Sequence, residues 1–129
     1  MPTQPDSPAV AIARAHVEAW SNHDFDRARN SLAADVRVTS TTTLPIMKDV
    51  NTVGIEDYMT GLTQFARGVV PGSAHVIASV GDDHNALLML TVEADLGAGK
   101  ATLPAARLYL LDENNKIKTE QVIFYAVPG

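Results

Sequence analysis

The stretch Ala106–Tyr125, ARLYLLDENNKIKTEQVIFY, decides the fold. Two runs of period-two character flank the polar centre DENN, and Asn tolerates the positive φ that a tight hairpin needs. With Asn114-Asn115 as a two-residue turn, Glu113 faces Lys116, Tyr109 faces Glu120, Arg107 faces Val122 and Ala105 faces Phe124. Opposed residues in an antiparallel pair point to the same side of the sheet. Arg107 and Glu120 therefore become diagonal neighbours on one face.

Working outward, GAG at 97–99 reads as the preceding turn, and GDDHN at 81–85 as the one before that. Four strands follow, at about 74–80, 86–96, 101–111 and 117–126. A turn centred on Ala98-Gly99 sets Leu90 opposite Arg107 and Leu88 opposite Tyr109. One face then holds Leu88, Leu90, Val92, Ala105, Arg107, Tyr109, Glu120, Val122 and Phe124. A one-residue slip would exchange the faces of a strand. The opposite face, with Leu87, Met89, Leu108, Leu110, Ile123 and Tyr125, is too apolar for a fully wet surface and is expected to be a subunit interface.

The first half of the chain is helical in period. Ser7-Pro8 is a helix start, Ser as N-cap and Pro in the first turn. Ile12, Ala13, His16, Val17 and Trp20 share one face at ~100° per residue. A histidine and the chain's only tryptophan thus sit one turn apart on a buried stripe. Asp24 caps a second, shorter helix carrying Phe25, Ala28 and Leu32. After Ala34 the period becomes two, with Val36, Val38 and Ser40 on one side of a strand. Residues 42–53 read as a loop with a short extended piece. Ile55, Tyr58, Met59, Leu62, Phe65, Ala66 and Val69 mark a third amphipathic helix, in which Gly61 is expected to permit close backbone packing. The order helix, helix, strand, helix, meander is α+β, with the helices packed on one face of a curved sheet.

Length and composition bound the function. The 129 residues suit one domain at 8–129 behind a polar lead-in at 1–7. There is no cysteine, which excludes disulfides and thiolate chemistry. The formal charge of -5 is spread along the chain without a Lys/Arg cluster, so no nucleic-acid partner is expected. No apolar run reaches the ~18 residues of a membrane span. MPTQPDSP has neither a basic start nor an apolar stretch, so it is not read as a signal peptide and a cytoplasmic location is expected. The histidines His23, His75 and His84 fall at or near turns without ligand spacing, so neither a metal site nor a cofactor is expected.

Three segments, ARAHVEAWSNHDFDRARNSLAADVRVTS, the Gly-initiated GIEDYMTGLTQF, and ARLYLLDENNKIKTEQVIFY, resemble the SnoaL-like branch of the nuclear transport factor 2-like superfamily. Ketosteroid isomerases, limonene epoxide hydrolases and polyketide cyclases belong to the same superfamily. The resemblance spans roughly 8–126 and implies a cone-shaped, mostly antiparallel sheet. Its concave face, the first helix and the first strand would enclose a pocket. It also implies departures from the relatives' chemistry. His16 stands where ketosteroid isomerases have the phenol of their oxyanion hole, Ser40 where they have an aspartate base, and Arg107 near their protonated aspartate. An epoxide hydrolase needs an Arg between two carboxylates, and Glu120 offers one. A cyclase needs a pocket Asp, and none is apparent.

The resemblance and the residues together give a candidate site. His16 is read as a general acid/base, against the packing alternative of a buried histidine bonded to a neighbouring strand. Arg107 is read as an oxyanion or carbonyl binder, with Glu120 holding it or acting as base, against a structural ion pair. Trp20, Ser40, Tyr58, Met59, Leu90, Tyr109 and Phe124 are expected to line the pocket, with Phe65 on its apolar wall. The expected function is a pocket protein for a small apolar molecule, working as a cofactor-independent isomerase, cyclase or dehydratase on a carbonyl compound. The alternative is a non-catalytic ligand-binding or dimerisation domain. A homodimer through the outer sheet face is expected in either case.

Overall fold

The computed structural model describes residues 6–42, 50–95, 97 and 99–124. The chain runs α1 (Pro8–Ser21), α2 (Phe25–Asn30), β1 (Leu32–Thr42), β2 (Val50–Val53) and α3 (Ile55–Arg67), then β3 (His75–Gly81), β4 (Asn85–Asp95), β5 (Lys100–Leu111) and β6 (Ile117–Phe124). The strands form one curved, open sheet in the order β2-β1-β6-β5-β4-β3. Every pairing is antiparallel except β1 with β6, which is parallel. Helices α1 and α3 cover the concave face, and α2 packs against both of them. The fold is the expected α+β cone, with β2 as the extended piece of the segment read as a loop.

Local chemistry explains the boundaries. The Ser7 hydroxyl accepts from the Val10 N–H at 3.2 Å, and Asp24 accepts from the Arg27 N–H at 3.3 Å. Both satisfy amides that a helix start leaves unpaired. Helix α2 stops sooner than its spacing predicts. The Ser31 carbonyl accepts from the Ile117 N–H at 2.8 Å, and Leu32 pairs with Ile117 as the first residue of β1. Val69, expected on α3, lies beyond the Gly68 C-cap and bridges to Ala94 instead. Gly81 permits a close approach of β3 to both β4 and α1. A Cβ there would meet the Asn85 carbonyl oxygen at 2.3 Å and the Val10 side chain at 2.8 Å.

The β5–β6 register pairs Tyr109 with Glu120, Arg107 with Val122 and Ala105 with Phe124, as expected. The turn itself is longer than the two-residue Asn-Asn expected. Asn115 takes φ 60°, and the Asp112 carboxylate accepts from the Asn114 and Lys116 amides at 2.8 and 2.9 Å. Asp112, not Glu113, bonds across to Lys116, and the extra residue is absorbed by an irregularity after Leu110. In β4–β5 the true partner of Arg107 is Leu88, and Leu90 faces Ala105. This is a two-residue shift from expectation, which leaves every side chain on its expected face. Ala98 of the expected turn, Tyr125 of the outer face and residues 1–5 of the lead-in lie outside the described residues.

The core lies between α1, α3 and the concave sheet face, with Trp20, Leu88, Leu90, Tyr109 and Ile117 among its largest fully buried side chains. His16, Arg107 and Glu120 are buried with them, at 0, 3 and 2 % exposure. Burying three titratable groups in an apolar core is costly unless each is bonded, and this cost makes their surroundings a candidate site.

Candidate functional site

A cavity of about 130 Å³ opens between α3, β1 and the far end of the concave face. Val38, Leu62, Phe65, Val122 and Phe124 form its apolar walls, and Tyr58, Arg107 and Glu120 its polar floor. Parallel pairing of β1 with β6 sets Val38 beside Glu120 and Ser40 beside Val122, which places both β1 side chains on the cavity side.

The floor is one connected polar chain. The His16 Nδ1 lies 3.1 Å from the Ala28 carbonyl oxygen, and its Nε2 lies 2.9 Å from the Tyr58 hydroxyl. The Tyr58 hydroxyl is 2.7 Å from Glu120 Oε1. Arg107 donates from its Nη1 to Glu120 Oε2 over a long 3.4 Å. That is the only hydrogen bond of Arg107 among the described residues, and its Nε has none. The guanidinium is instead held by aromatic faces, 4.7 Å from the Trp20 ring and 5.7 Å from that of Phe124. Contacts of this kind hold the cation without using its N–H groups. The Tyr109 hydroxyl lies beside Glu120 and Arg107 without completing a hydrogen bond to either.

Burial sets the charge states around this chain. Desolvation holds the His16 imidazole below its ordinary value, with Glu120 pulling it up and Arg107 pushing it down. The Tyr58 and Tyr109 phenols are pushed well above theirs, by burial first and then by the negative charge of Glu120. Both phenols therefore stay protonated, and that of Tyr58 donates to Glu120.

The structure sorts the sequence-derived residues by depth. Arg107, Glu120, Ser40, Tyr58 and Phe124 line the cavity, as does Phe65. His16 does not. It stands behind Tyr58, one hydrogen bond removed from the cavity. Trp20 lies under the Arg107 guanidinium, and Tyr109 and Leu90 are fully buried in the core. Met59 does not line the cavity; it packs against the edge of the core and borders a groove with Glu56, Thr60 and Thr63. Asp57 and Gly61 belong to the cavity lining and were not anticipated. At ~100° per residue Asp57, Gly61 and Phe65 fall on one flank of the α3 stripe and Met59 on the other. That geometry was available in the sequence, but which flank meets the cavity depends on the roll of the helix. A pocket carboxylate, judged absent from the sequence, is thus present at the mouth as Asp57. Gly61 also corrects an expectation. Among the described residues nothing lies within 4 Å of a Cβ built there, so it leaves room at the mouth instead of allowing close packing.

No helix among the described residues is long and apolar enough to cross a membrane.

Comparison with known proteins agrees with this geometry at the level of fold. No curated protein matches the chain. Among solved structures, a protein from Kribbella flavida superposes with a TM-score of 0.77 at 24% identity, covering 92% of this chain and 88% of its own. A protein with a ketosteroid isomerase-like fold from Catenulispora acidiphila, crystallised with trimethylamine, gives 0.71 at 13% identity, covering 91% and 85%. An LEH-like epoxide hydrolase of M. tuberculosis gives 0.69 at 17% identity, covering 93% and 85%. At such identities the likeness speaks for the fold and not for the chemistry. Residues 13–120 match the SnoaL-like domain family, so the chain belongs to that family.

Proposed function

We propose that this protein is a cofactor-independent acid/base enzyme acting on a small, single-ring carbonyl compound. The observation that carries the reading is the Arg107–Glu120 pair on the floor of a mostly apolar cavity, with most of the Arg107 donors unengaged among the described residues. A buried cation with free N–H groups favours an oxygen that gains negative charge during reaction. Glu120, beside it, takes a proton from the carbon next to the carbonyl. The C–H electron pair then moves into the enolate, whose oxygen Arg107 holds, and Glu120 returns the proton at the same or a conjugated carbon. Isomerisation, cyclisation and dehydration all share this first step. His16 acts through Tyr58 and does not touch the ligand.

The cavity volume limits the substrate. About 130 Å³ compares with the ~150 Å³ that accommodates benzene. Single rings fit within it, and a four-ring steroid does not. The exposed apolar residues Val80, Leu87, Met89 and Ile123 sit together on the convex side through the pairings of β3, β4, β5 and β6. They support a homodimer through that face, so that the cavity opens away from the partner.

The test is hydrogen exchange. 2-Cyclohexenone is incubated with the protein in heavy water, and loss of the signal of its C6 protons, on the saturated carbon next to the carbonyl, is followed by NMR. Exchange above the buffer rate is expected, lost in Glu120→Gln and reduced at least about 100-fold in Arg107→Met. Stabilisation of the protein by single-ring ketones with no exchange in any of them would replace catalysis by ligand binding alone.

A further inference from the structure

The contacts of the buried chain do not close with the protons its groups ordinarily carry. Three close contacts run in series: His16 Nδ1 to the Ala28 carbonyl, His16 Nε2 to the Tyr58 hydroxyl, and the Tyr58 hydroxyl to Glu120 Oε1. Each needs one proton to be a hydrogen bond. A neutral imidazole brings one, the phenol one and a carboxylate none. The carbonyl of Ala28 can only accept, so the imidazole proton belongs on Nδ1. The single phenol proton must then serve both Nε2 and Oε1. Whichever it leaves, two acceptors face each other inside the core at less than 3 Å. The other tautomer moves the same conflict to Ala28. One further proton, on His16 or on Glu120, closes all three contacts.

That proton changes the charge of the floor. With it, the His16–Tyr58–Glu120 chain is neutral as a unit, and Arg107 leaves one uncompensated positive charge in a buried site. Without it, Arg107 and Glu120 cancel. An anion at the free N–H edge of Arg107 therefore stabilises the state that holds the proton. We propose that the cavity binds small organic anions, such as ring carboxylates or enolates, together with one proton taken up by the His16–Tyr58–Glu120 chain. This rests on the cavity being the ligand site, as in the function proposed above, and adds the charge class of the ligand and its coupling to pH.

The surroundings bear on the balance from every side. Around His16 stand Tyr58 on α3, Arg107 and Tyr109 on β5, Glu120 on β6 and the Ala28 carbonyl on α2. Leu88 and Leu90 on β4 add no charge. Asp57 opposes an anion, but it is exposed at the mouth and screened by solvent. Burial, the largest effect, and Arg107 disfavour a charged His16 while Glu120 favours it, and the balance holds the imidazole below its ordinary value. On His16 the third proton is therefore disfavoured until an anion at Arg107 draws it in.

Benzoate, benzenesulfonate and the neutral benzamide are the probes, titrated into the protein by calorimetry at pH 7 in buffers of differing ionisation enthalpy. Uptake approaching one proton is expected for both anions and none for benzamide. Benzenesulfonate stays ionised throughout, so its proton belongs to the protein. The benzoate Kd should weaken about tenfold per pH unit above neutrality, as one-proton linkage requires. Glu120→Gln tests the count directly. The Gln amide donates to the Tyr58 hydroxyl, which then donates to His16 Nε2, and all three contacts close without an added proton. That variant should bind benzoate with no proton uptake and a flat pH profile. Anion binding to the unaltered protein without proton uptake overturns the coupling alone, as does an uptake that persists in Glu120→Gln. No binding of any of the three probes overturns both the coupling and the ligand site.

Discussion

Arg107→Met would remove the cation while keeping much of the side-chain volume, so the change is largely electrostatic. Arg107 and Glu120 are 3 and 2 % exposed and are bonded to each other. Taking away one member of a buried pair leaves the other charge uncompensated, at about 3–5 kcal/mol. Loss of the guanidinium from the Trp20 face adds about 0.5–2 kcal/mol, part of which the Met side chain restores. A net loss of about 3–6 kcal/mol follows. For a chain of this length that is about 10–20 °C in Tm. Because the penalty lies in the stranded carboxylate, Arg107→Met with Glu120→Gln should recover at least half of it, giving a coupling of about 2 kcal/mol or more. The assay is urea denaturation of the four proteins of the cycle at pH 7 and one fixed concentration. A loss below about 1 kcal/mol for Arg107→Met, with no recovery in the double variant, would mean that Glu120 is not held as a buried partner of Arg107. The reading of the cavity floor would then be wrong.

Gly61→Ala should stabilise the protein by up to about 1 kcal/mol, because it removes a helix-interior glycine and its Cβ meets nothing among the described residues. It should also weaken benzoate binding by narrowing the mouth, and stabilisation with unchanged affinity would place the ligand elsewhere. Acid should destabilise the unliganded protein through His16. Its folded pKa lies below the ordinary value of about 6.5, so the unfolded chain binds the proton first. Stability is then complete above about pH 6.5 and falls by up to about 1.4 kcal/mol per unit below it. Thermal melts between pH 7.5 and 5 should show the slope, saturating benzoate should reduce it, and a slope unchanged in His16→Gln would assign it to another group. Ile123→Lys on the convex face should convert a dimer to a monomer in sedimentation without loss of secondary structure. An unaltered protein that sediments as a monomer removes that interface.

Much of the fold was written in local pattern. Ser7-Pro8 and Asp24 announce their helices because a cap is chemistry among residues three apart. The period-two runs around Asp112–Lys116 placed Arg107, Tyr109, Glu120 and Val122 on one face, because alternation in a strand leaves only two choices. Even the mistaken β4–β5 pairing, two residues out, cost nothing in facing. The end of α2 was less legible. Leu32 fits a helical stripe as well as a strand, and its partner Ile117 lies far along the chain.

The composition of the site was also legible, as a His, an Arg and a Glu on buried faces, but their depth was not. Sequence periodicity gives the direction in which a side chain points, not what it meets there. His16 and Tyr58 both point inward, and only the packing of α3 across α1 puts Tyr58 in front, so that the phenol meets the cavity and the imidazole does not. The roll of α3 likewise brought Asp57 and Gly61 to the mouth and turned Met59 away. Direction is set by φ and ψ within a few residues. Depth and order along a line of sight are set by how elements distant in sequence close on one another, and here that closure also decides how many protons the buried chain needs.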